Sequence, residues 1–78
     1  MARLRLFGPV REAAGTASTD VAGNTVAEII AVATAQFGPR FEKFLPSCRI
    51  WVNGDLAGPE CRVGAGDEVA IIPPVSGG

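Results

Sequence analysis

The chain has 78 residues, of which 47% are hydrophobic and 19% charged, and its formal net charge is −1. This length supports one small domain that buries only about 60% of its unfolded surface. A charge near zero gives no electrostatic basis for binding nucleic acid or an anionic membrane, and the absence of histidine excludes Ser-His-Asp and Cys-His catalysis.

The opening residues and the cysteines indicate the compartment. The sequence MARLRLFG carries arginines where a signal peptide would be apolar, and no apolar stretch is long enough to span a bilayer, so we expect a cytoplasmic protein. In that compartment Cys48 and Cys61 are expected to be reduced and to pack as small apolar side chains. Two cysteines without histidine do not make a zinc site, and we expect no metal to be bound.

The first predicted elements form a hairpin. ARLRLF alternates, with its leucines on one side and its arginines and Phe7 on the other, which is typical of a half-buried strand. Gly8 and Pro9 break this strand, and a short turn or helical piece ends at Gly15. TASTDVA then predicts a second strand that pairs with the first.

A helix over residues 25–37 is the clearest element of the sequence. Thr25 and Glu28 form a capping box, and Gly38 followed by Pro39 marks the end of the helix. One stripe of apolar residues repeats at helical spacing. This stripe consists of Val26, Ile29, Ile30, Ala33 and Phe37.

The second half of the chain predicts three more strands. RFEKFL suggests a short helical turn whose apolar residues make a satellite core. CRIWV is a strand, and Asn53-Gly54 is a two-residue hairpin signal that leads into a very short fourth strand. In the following loop, Gly64 and Gly66 are turn residues, because a phosphate-binding loop would have a third glycine and a helix after it. EVAIIPP is the last strand.

These elements predict an α+β fold. One amphipathic helix must bury its stripe against one face of a mixed sheet of four to five strands. The first and last strands are both rich in apolar residues and are therefore expected to lie side by side, in parallel, at the centre. This is the β-grasp arrangement of ubiquitin. We assign residues 1–72 to this domain and residues 73–78 to an extended C-terminal tail.

Two terminal motifs carry a family resemblance. RLFGPVREAAGT and GDEVAIIPPVSGG resemble the MoaD-type small subunit of molybdopterin synthase, one of the ubiquitin-like sulfur carriers. The resemblance covers essentially the whole chain and is strongest at its two ends. The thiamine-pathway carrier ThiS shares the fold and the Gly-Gly end, but is typically shorter and lacks the Pro-Pro-Val-Ser/Thr lead-in.

The resemblance implies chemistry at the end of the chain. The α-carboxylate of Gly78 would be adenylated and then converted to a thiocarboxylate, and Gly77 would pass with it through a narrow channel that has no room for a Cβ atom. ATP and Mg²⁺ would be bound by the activating enzyme, so that this chain binds no cofactor and is no enzyme by itself. The implied partners are a MoaE-like large synthase subunit, a MoeB-like adenylating enzyme and a sulfur-donor enzyme.

The resemblance also implies partner contacts. The positions that match Phe7, Leu56 and Ile72 contact the large subunit in the family. Phe7, Trp51 and Ile72 alternate out of phase with the buried residues of their strands, which predicts an apolar patch on the open face of the sheet. Arg11 is a candidate for pairing with an acidic group of a partner. The tail residues before the glycines complete the expected contact set, and they are Pro73, Pro74, Val75 and Ser76.

Tail chemistry alone leaves the pathway open. Prolines cannot continue a sheet ladder and favour an extended chain, and six residues reach at most about 20 Å, which suits an active site in another protein. A sulfur carrier for thiamine or amino-acid biosynthesis would use the same tail. A ubiquitin-like modifier joined to lysines through Gly78 is an alternative of a different class.

Overall fold

The computed structural model describes residues 1–74. In chain order, the elements are β1 (Ala2–Leu6), α1 (Pro9–Ala14), β2 (Ser18–Val21), α2 (Val26–Phe37), α3 (Pro39–Phe44), a 3-10 turn (Leu45–Ser47), β3 (Arg49–Val52), β4 (Asp55–Leu56) and β5 (Glu68–Ile72).

The five strands form one mixed sheet in the order β2-β1-β5-β3-β4. β1 and β5 are parallel, with Leu6 opposite Ile71, and every other pair is antiparallel. The predicted central pair of first and last strands is therefore confirmed. A sheet with this central pair, covered on one face by helices, is the β-grasp fold expected from the sequence.

The predicted capping box begins α2. The Thr25 hydroxyl accepts a hydrogen bond from the Glu28 backbone N–H at 3.2 Å. The Glu28 carboxylate accepts from the Asn24 N–H at 3.0 Å, one residue earlier than the reciprocal bond of a standard capping box. At the other end, Gly38 has a φ of 87° and donates to the Thr34 carbonyl, and Pro39 begins α3 directly. Two helices thus follow each other with one glycine between them.

The core is larger on the helical side than the sequence indicated. α3 packs against both α1 and α2, and its Phe41 is fully buried. The rings of Phe41 and Phe37 lie 5.3 Å apart between centroids. The prediction that Phe41 belongs to a satellite core was therefore wrong, because the packing of α3 against α1 and α2 buries this ring in the main core. The buried apolar residues are Ala2, Leu4, Leu6, Val10, Val21, Val26, Ile29, Ala33, Phe41, Val52, Val63, Val69 and Ile71.

A hydrogen-bonded cluster joins the β3–β4 hairpin to the start of β5. Asn53 has a φ of 50°, as the first residue of the predicted two-residue turn requires. Its side-chain amide donates to the Asp67 carboxylate at 3.0 Å, and its side-chain oxygen accepts from the Glu68 N–H at 2.9 Å. The Gly64 N–H donates to the second Asp67 oxygen at 2.8 Å. These bonds hold the entry of β5 in register.

Acid should weaken this cluster. The hydrogen bond from Asn53, and secondly that from the Gly64 backbone, lower the pKa of Asp67 below 3.8. A folded-state pKa below the unfolded value means that the carboxylate stabilises the fold above pH 3.8 and that this contribution is lost as the pH falls through the folded pKa. Asn53→Gly keeps a residue that tolerates positive φ and removes the donor. We expect the Asp67 pKa, followed by carboxyl-carbon NMR, to rise in this variant, and an unchanged pKa would contradict the assignment.

Candidate functional site

The sheet has one covered and one open face. Along β1, Ala2, Leu4 and Leu6 are buried while Arg3 and Arg5 are exposed, so the predicted alternation is confirmed. β5 alternates in the same way, with Val69 and Ile71 buried. The residues between them, Ala70 and Ile72, face the open side because successive side chains of a strand point to opposite faces.

An apolar groove crosses the open face at its centre. Phe7 and Ile72 lie at one end, and Trp51 lies directly opposite Ala70 in the β3–β5 ladder. Phe7 remains 38% exposed although it is a large aromatic residue. We call this surface the open-face groove, and its lining residues are Phe7, Trp51, Gly54, Glu68, Ala70 and Ile72.

Charged groups of the sheet border this groove. The Arg5 guanidinium lies over the Phe7 ring, 5.9 Å from its centroid, and its Nη1 is 3.5 Å from the Glu68 carboxylate. Arg3, also on β1, pairs with Asp20 on the neighbouring strand β2, with its Nε 3.4 Å from the Asp20 carboxylate. Exposed pairs of this kind add little stability. Their relevance here is their position, since Arg5 contacts a ring that lines the groove.

The predicted contact residues Leu56 and Arg11 lie outside the groove. Leu56 is opposite Trp51 in the β3–β4 ladder, so it shares the open face, and it is 57% exposed. It lines a separate depression near the sheet edge with residues such as Pro46 and Cys48. Arg11 is exposed on α1. The structure thus brings Phe7 and Ile72 together and leaves Leu56 at the periphery of the same face.

The C-terminal tail begins at the end of this groove. Ile72 lines both the open-face groove and an adjoining depression, which Arg49, Trp51, Pro73 and Pro74 complete. The groove and the first tail residues therefore form one continuous surface. The remaining predicted tail residues, Val75, Ser76, Gly77 and Gly78, lie outside the described part of the chain.

Three residues of this surface were not among the predicted contacts. The sequence predicts Trp51 in the apolar patch of the open face without a partner contact, and it assigns no role to Ala70. Arg49 precedes Trp51 by two residues and therefore lies on the same face. Parity identifies all three as open-face residues, but their place beside the tail follows from the β3–β5 register, in which Arg49 is opposite Ile72.

The remaining side chains show no centre for metal or thiol chemistry within residues 1–74. Both cysteines are free and partly buried, and burial raises the pKa of the Cys48 thiol, whose Sγ donates to the Phe44 carbonyl at 3.2 Å. In the same part of the chain, no group of three or more His, Cys, Asp or Glu side chains is placed to hold a metal ion. Nor is any described helix long and apolar enough to cross a membrane.

Known proteins share both the sequence pattern and the fold. SAMP1 from Haloferax volcanii is 30% identical, with a TM-score of 0.81 over 99% of this chain and 98% of that chain. The small archaeal modifier protein 1 from Methanosarcina acetivorans is 28% identical, with a TM-score of 0.89 over 99% and 95%. A chain from the complex of subunits 1 and 2 of molybdopterin-converting factor from Helicobacter pylori is 26% identical, with a TM-score of 0.74 over 99% and 97%.

A family model matches almost the entire chain. The model describes the ThiS family, and the match extends over residues 4–78. It includes the open-face residues Phe7, Trp51 and Ile72 as well as the whole tail. The chain therefore belongs to the ThiS family and is a ubiquitin-like sulfur carrier of the ThiS/MoaD type.

Proposed function

We propose that this protein is the small, sulfur-donating subunit of a molybdopterin synthase and that it acts through a thiocarboxylate on Gly78. The observation that carries the proposal is the continuity of the open-face groove with the start of the tail, through Ile72, Pro73 and Pro74. A partner that covers the groove would receive the tail at the edge of the same interface. A carrier needs this arrangement, because its reactive end must enter an active site that belongs to another protein.

The proposed chemistry begins at the carboxylate of Gly78. In an adenylating partner of the MoeB type, a carboxylate oxygen attacks the α-phosphate of ATP, and pyrophosphate leaves. A sulfur-donor enzyme then supplies sulfur at the oxidation level of sulfide, which attacks the acyl carbon to form the thiocarboxylate, and AMP leaves with the former carboxylate oxygen. Mg²⁺ and ATP belong to the partner. This chain provides the acyl group and the docking surface and is not an enzyme by itself.

Sulfur delivery would take place in a large, MoaE-like subunit. The thiocarboxylate transfers its sulfur to a pterin precursor held by that subunit, and water supplies the oxygen that regenerates the carboxylate of Gly78. The likeness to a chain from the complex of subunits 1 and 2 of molybdopterin-converting factor supports a partner of this kind. Because adenylation consumes ATP, we place the cycle in the cytoplasm.

A protein modifier is the second candidate function. Two of the similar structures are of small archaeal modifier protein 1 (SAMP1), at 30% and 28% identity. Such a modifier would use the same adenylated Gly78 but transfer it to a lysine amine. Carriers for thiamine or amino-acid biosynthesis would share the tail and differ in the partner that covers the groove.

Intact-mass measurement tests the proposed function. The protein is incubated with ATP, Mg²⁺, an adenylating partner and a sulfur source, and its mass is expected to rise by the difference between one sulfur and one oxygen atom. A known carrier treated in parallel shows that the conditions are competent. The modified protein, mixed with a large synthase subunit and pterin precursor, is then expected to return to its original mass. No mass gain would refute the carrier function, and adducts on other proteins that survive thiol reductant would favour the modifier.

Truncation of Phe7 should weaken binding and leave the fold intact. A well-packed aromatic residue at the centre of an interface contributes about 2 kcal/mol or more, which is roughly thirtyfold in Kd. We expect Phe7→Ala to lower the affinity for the large subunit by about this factor in calorimetric titration. Val32→Ala truncates another exposed apolar residue, on α2 at the covered side, and should bind normally. Equal losses of affinity in both variants would mean that the interface is not centred on the open-face groove.

A further inference from the structure

We propose that Gly8 is a positioning residue for the C-terminal tail. Because Gly8 has no side chain, the ring of Pro73 packs against it, and the tail leaves the sheet beside the open-face groove. The inference rests on the proposed function, since a direction for the tail matters only if its end reacts. It assigns a role to a residue in the β1–α1 turn, far along the chain from the reacting end.

The parallel ladder brings the two residues together. β1 ends with Leu6 opposite Ile71 in β5, so the next residues of both strands continue side by side beyond the ladder. Pro73 has no N–H and cannot extend the hydrogen bonding of the sheet. The contact with Gly8 therefore takes the place of a ladder bond in fixing the first residues of the tail.

The backbone at Gly8 turns the chain away from the tail. Gly8 has a φ of 63° and a ψ of −139°, a conformation that L-residues with a side chain rarely adopt. Its carbonyl accepts hydrogen bonds from the N–H groups of Arg11 at 3.1 Å and Glu12 at 3.2 Å, which start α1. The turn so formed clears the space that the proline ring occupies.

A side chain at position 8 would collide with that ring. A Cβ atom built on Gly8 would lie 2.9 Å from Cγ of Pro73, 3.5 Å from its Cβ and 3.6 Å from its Cδ. Gly15, which also has a positive φ of 75°, has no atom within 4 Å of the corresponding position. Backbone conformation alone thus explains glycine at position 15, whereas position 8 requires both the conformation and the empty space.

The same ring belongs to the docking surface. Pro73 lines the depression with Arg49, Trp51 and Ile72, so it connects the β1–α1 turn with the open face. A ring pushed away from Gly8 would change where the tail starts relative to the groove. Docking through the groove would persist, but the carboxylate of Gly78 would arrive off its target.

Steady-state kinetics with the adenylating partner tests the proposal. The carrier is varied at fixed ATP, pyrophosphate release is measured, and wild type is compared with Gly8→Ala, Pro73→Ala, the double variant and Gly15→Ala. Gly8→Ala is expected to lower kcat by at least about tenfold, because a misplacement of about 1 Å can cost a hundredfold. KM should stay within about twofold of wild type. Gly15→Ala carries the milder strain of a left-handed residue (φ 75°, ψ 14°) without the collision, and it should retain the wild-type kcat.

Two features separate positioning from mere loss of structure. The carrier is the substrate in this assay, so an unfolded fraction lowers its effective concentration and raises the apparent KM while kcat at saturation is kept. Alanine at position 73 also removes the Cγ atom that a Cβ at position 8 would meet. The double variant is therefore expected to recover the kcat of Pro73→Ala, which should lie between those of wild type and Gly8→Ala. A wild-type kcat in Gly8→Ala, or a loss that Pro73→Ala does not relieve, would overturn the proposal.

Further measurements keep the test decisive. If Gly8→Ala does not fold, Pro73→Ala must have a lower kcat than Pro74→Ala, which removes a proline that is not the nearest neighbour of Gly8; equal values would overturn the proposal. In the wild-type protein, a nuclear Overhauser effect is expected between the α-protons of Gly8 and the γ-protons of Pro73. Its absence would refute the contact while sulfur loading stays normal. A wild-type chain that shows this contact but is not adenylated would instead refute the proposed function, and with it the positioning role of Gly8.

Discussion

One alanine added after Gly78, or the deletion of Gly78, is expected to abolish sulfur transfer and leave the domain folded. Each change shifts the terminal carboxylate along the chain by about 3.3–3.6 Å. A displacement of about 1 Å in an active site already costs about a hundredfold in rate, so we expect a loss of at least that size. Within residues 1–74 the last member of the buried cluster is Ile71, and we therefore expect the melting temperature to stay at the wild-type value. Thiocarboxylate formation, followed by intact mass, checks the first expectation and thermal unfolding the second.

Gly77→Val separates the length of the tail from its width. This variant keeps the number of residues and the terminal carboxylate and adds a branched side chain next to the reacting group. If the partner's channel admits only glycine, Gly77→Val is expected to lose sulfur transfer to about the same degree as the lengthened and shortened chains. An extended protein that is still loaded with sulfur at the wild-type rate, and whose mass shows the extra residue uncleaved, would show that the carboxylate of Gly78 is not the reacting group.

The largest loss of stability is expected from Phe41→Ala. Phe41 is fully buried, and removal of a buried phenylalanine side chain typically costs about 3–5 kcal/mol, because contacts are lost and a cavity remains. Small domains are stable by only about 5–15 kcal/mol in total, so this variant should be close to unfolding at ambient temperature. Urea denaturation gives the free energy of unfolding directly.

The same substitution at Phe7 is the matched control for Phe41→Ala. Phe7 is 38% exposed and lies on the open face, and we expect its loss to change the free energy of unfolding by about 1 kcal/mol or less. Ile29→Ala should lie nearer to Phe41→Ala, at about 2–5 kcal/mol, since Ile29 is fully buried on α2. Similar losses at Phe7 and Phe41 would mean that the open-face groove is part of the core.

Local patterns in the sequence were sufficient for most of the fold. Alternation in ARLRLF, the capping box at Thr25 and the hairpin signal at Asn53-Gly54 each depend on neighbours a few residues away. The structure confirms all three, together with the central parallel pair. The role of Phe41 was underestimated because its burial depends on how α3 packs against α1 and α2, which no local pattern encodes.

The site could be predicted only in its separate parts. Parity placed Phe7, Trp51 and Ile72 on the open face, and the resemblance drew attention to the tail. Their junction was not foreseen, because it arises from the registers of β5 with β1 and β3. The contact between Gly8 and Pro73 joins residues at opposite ends of the chain, so neither motif indicates it alone. The pathway stayed open for a chemical reason: every candidate carrier uses the same terminal carboxylate.

The central position of β5 has a consequence for biosynthesis. β5 lies between β1 and β3, so the β1–β2 and β3–β4 pairs cannot join into one sheet until β5 has been made and has left the ribosome. Pairing of strands so distant in sequence is slow, because the whole intervening chain must first be closed into a loop. A nascent chain that stalls before β5 exposes two unpaired strand edges and the apolar side of α2, which are signals for chaperones and proteases. Chains that end before β5 are therefore expected to be degraded before they can compete for a partner.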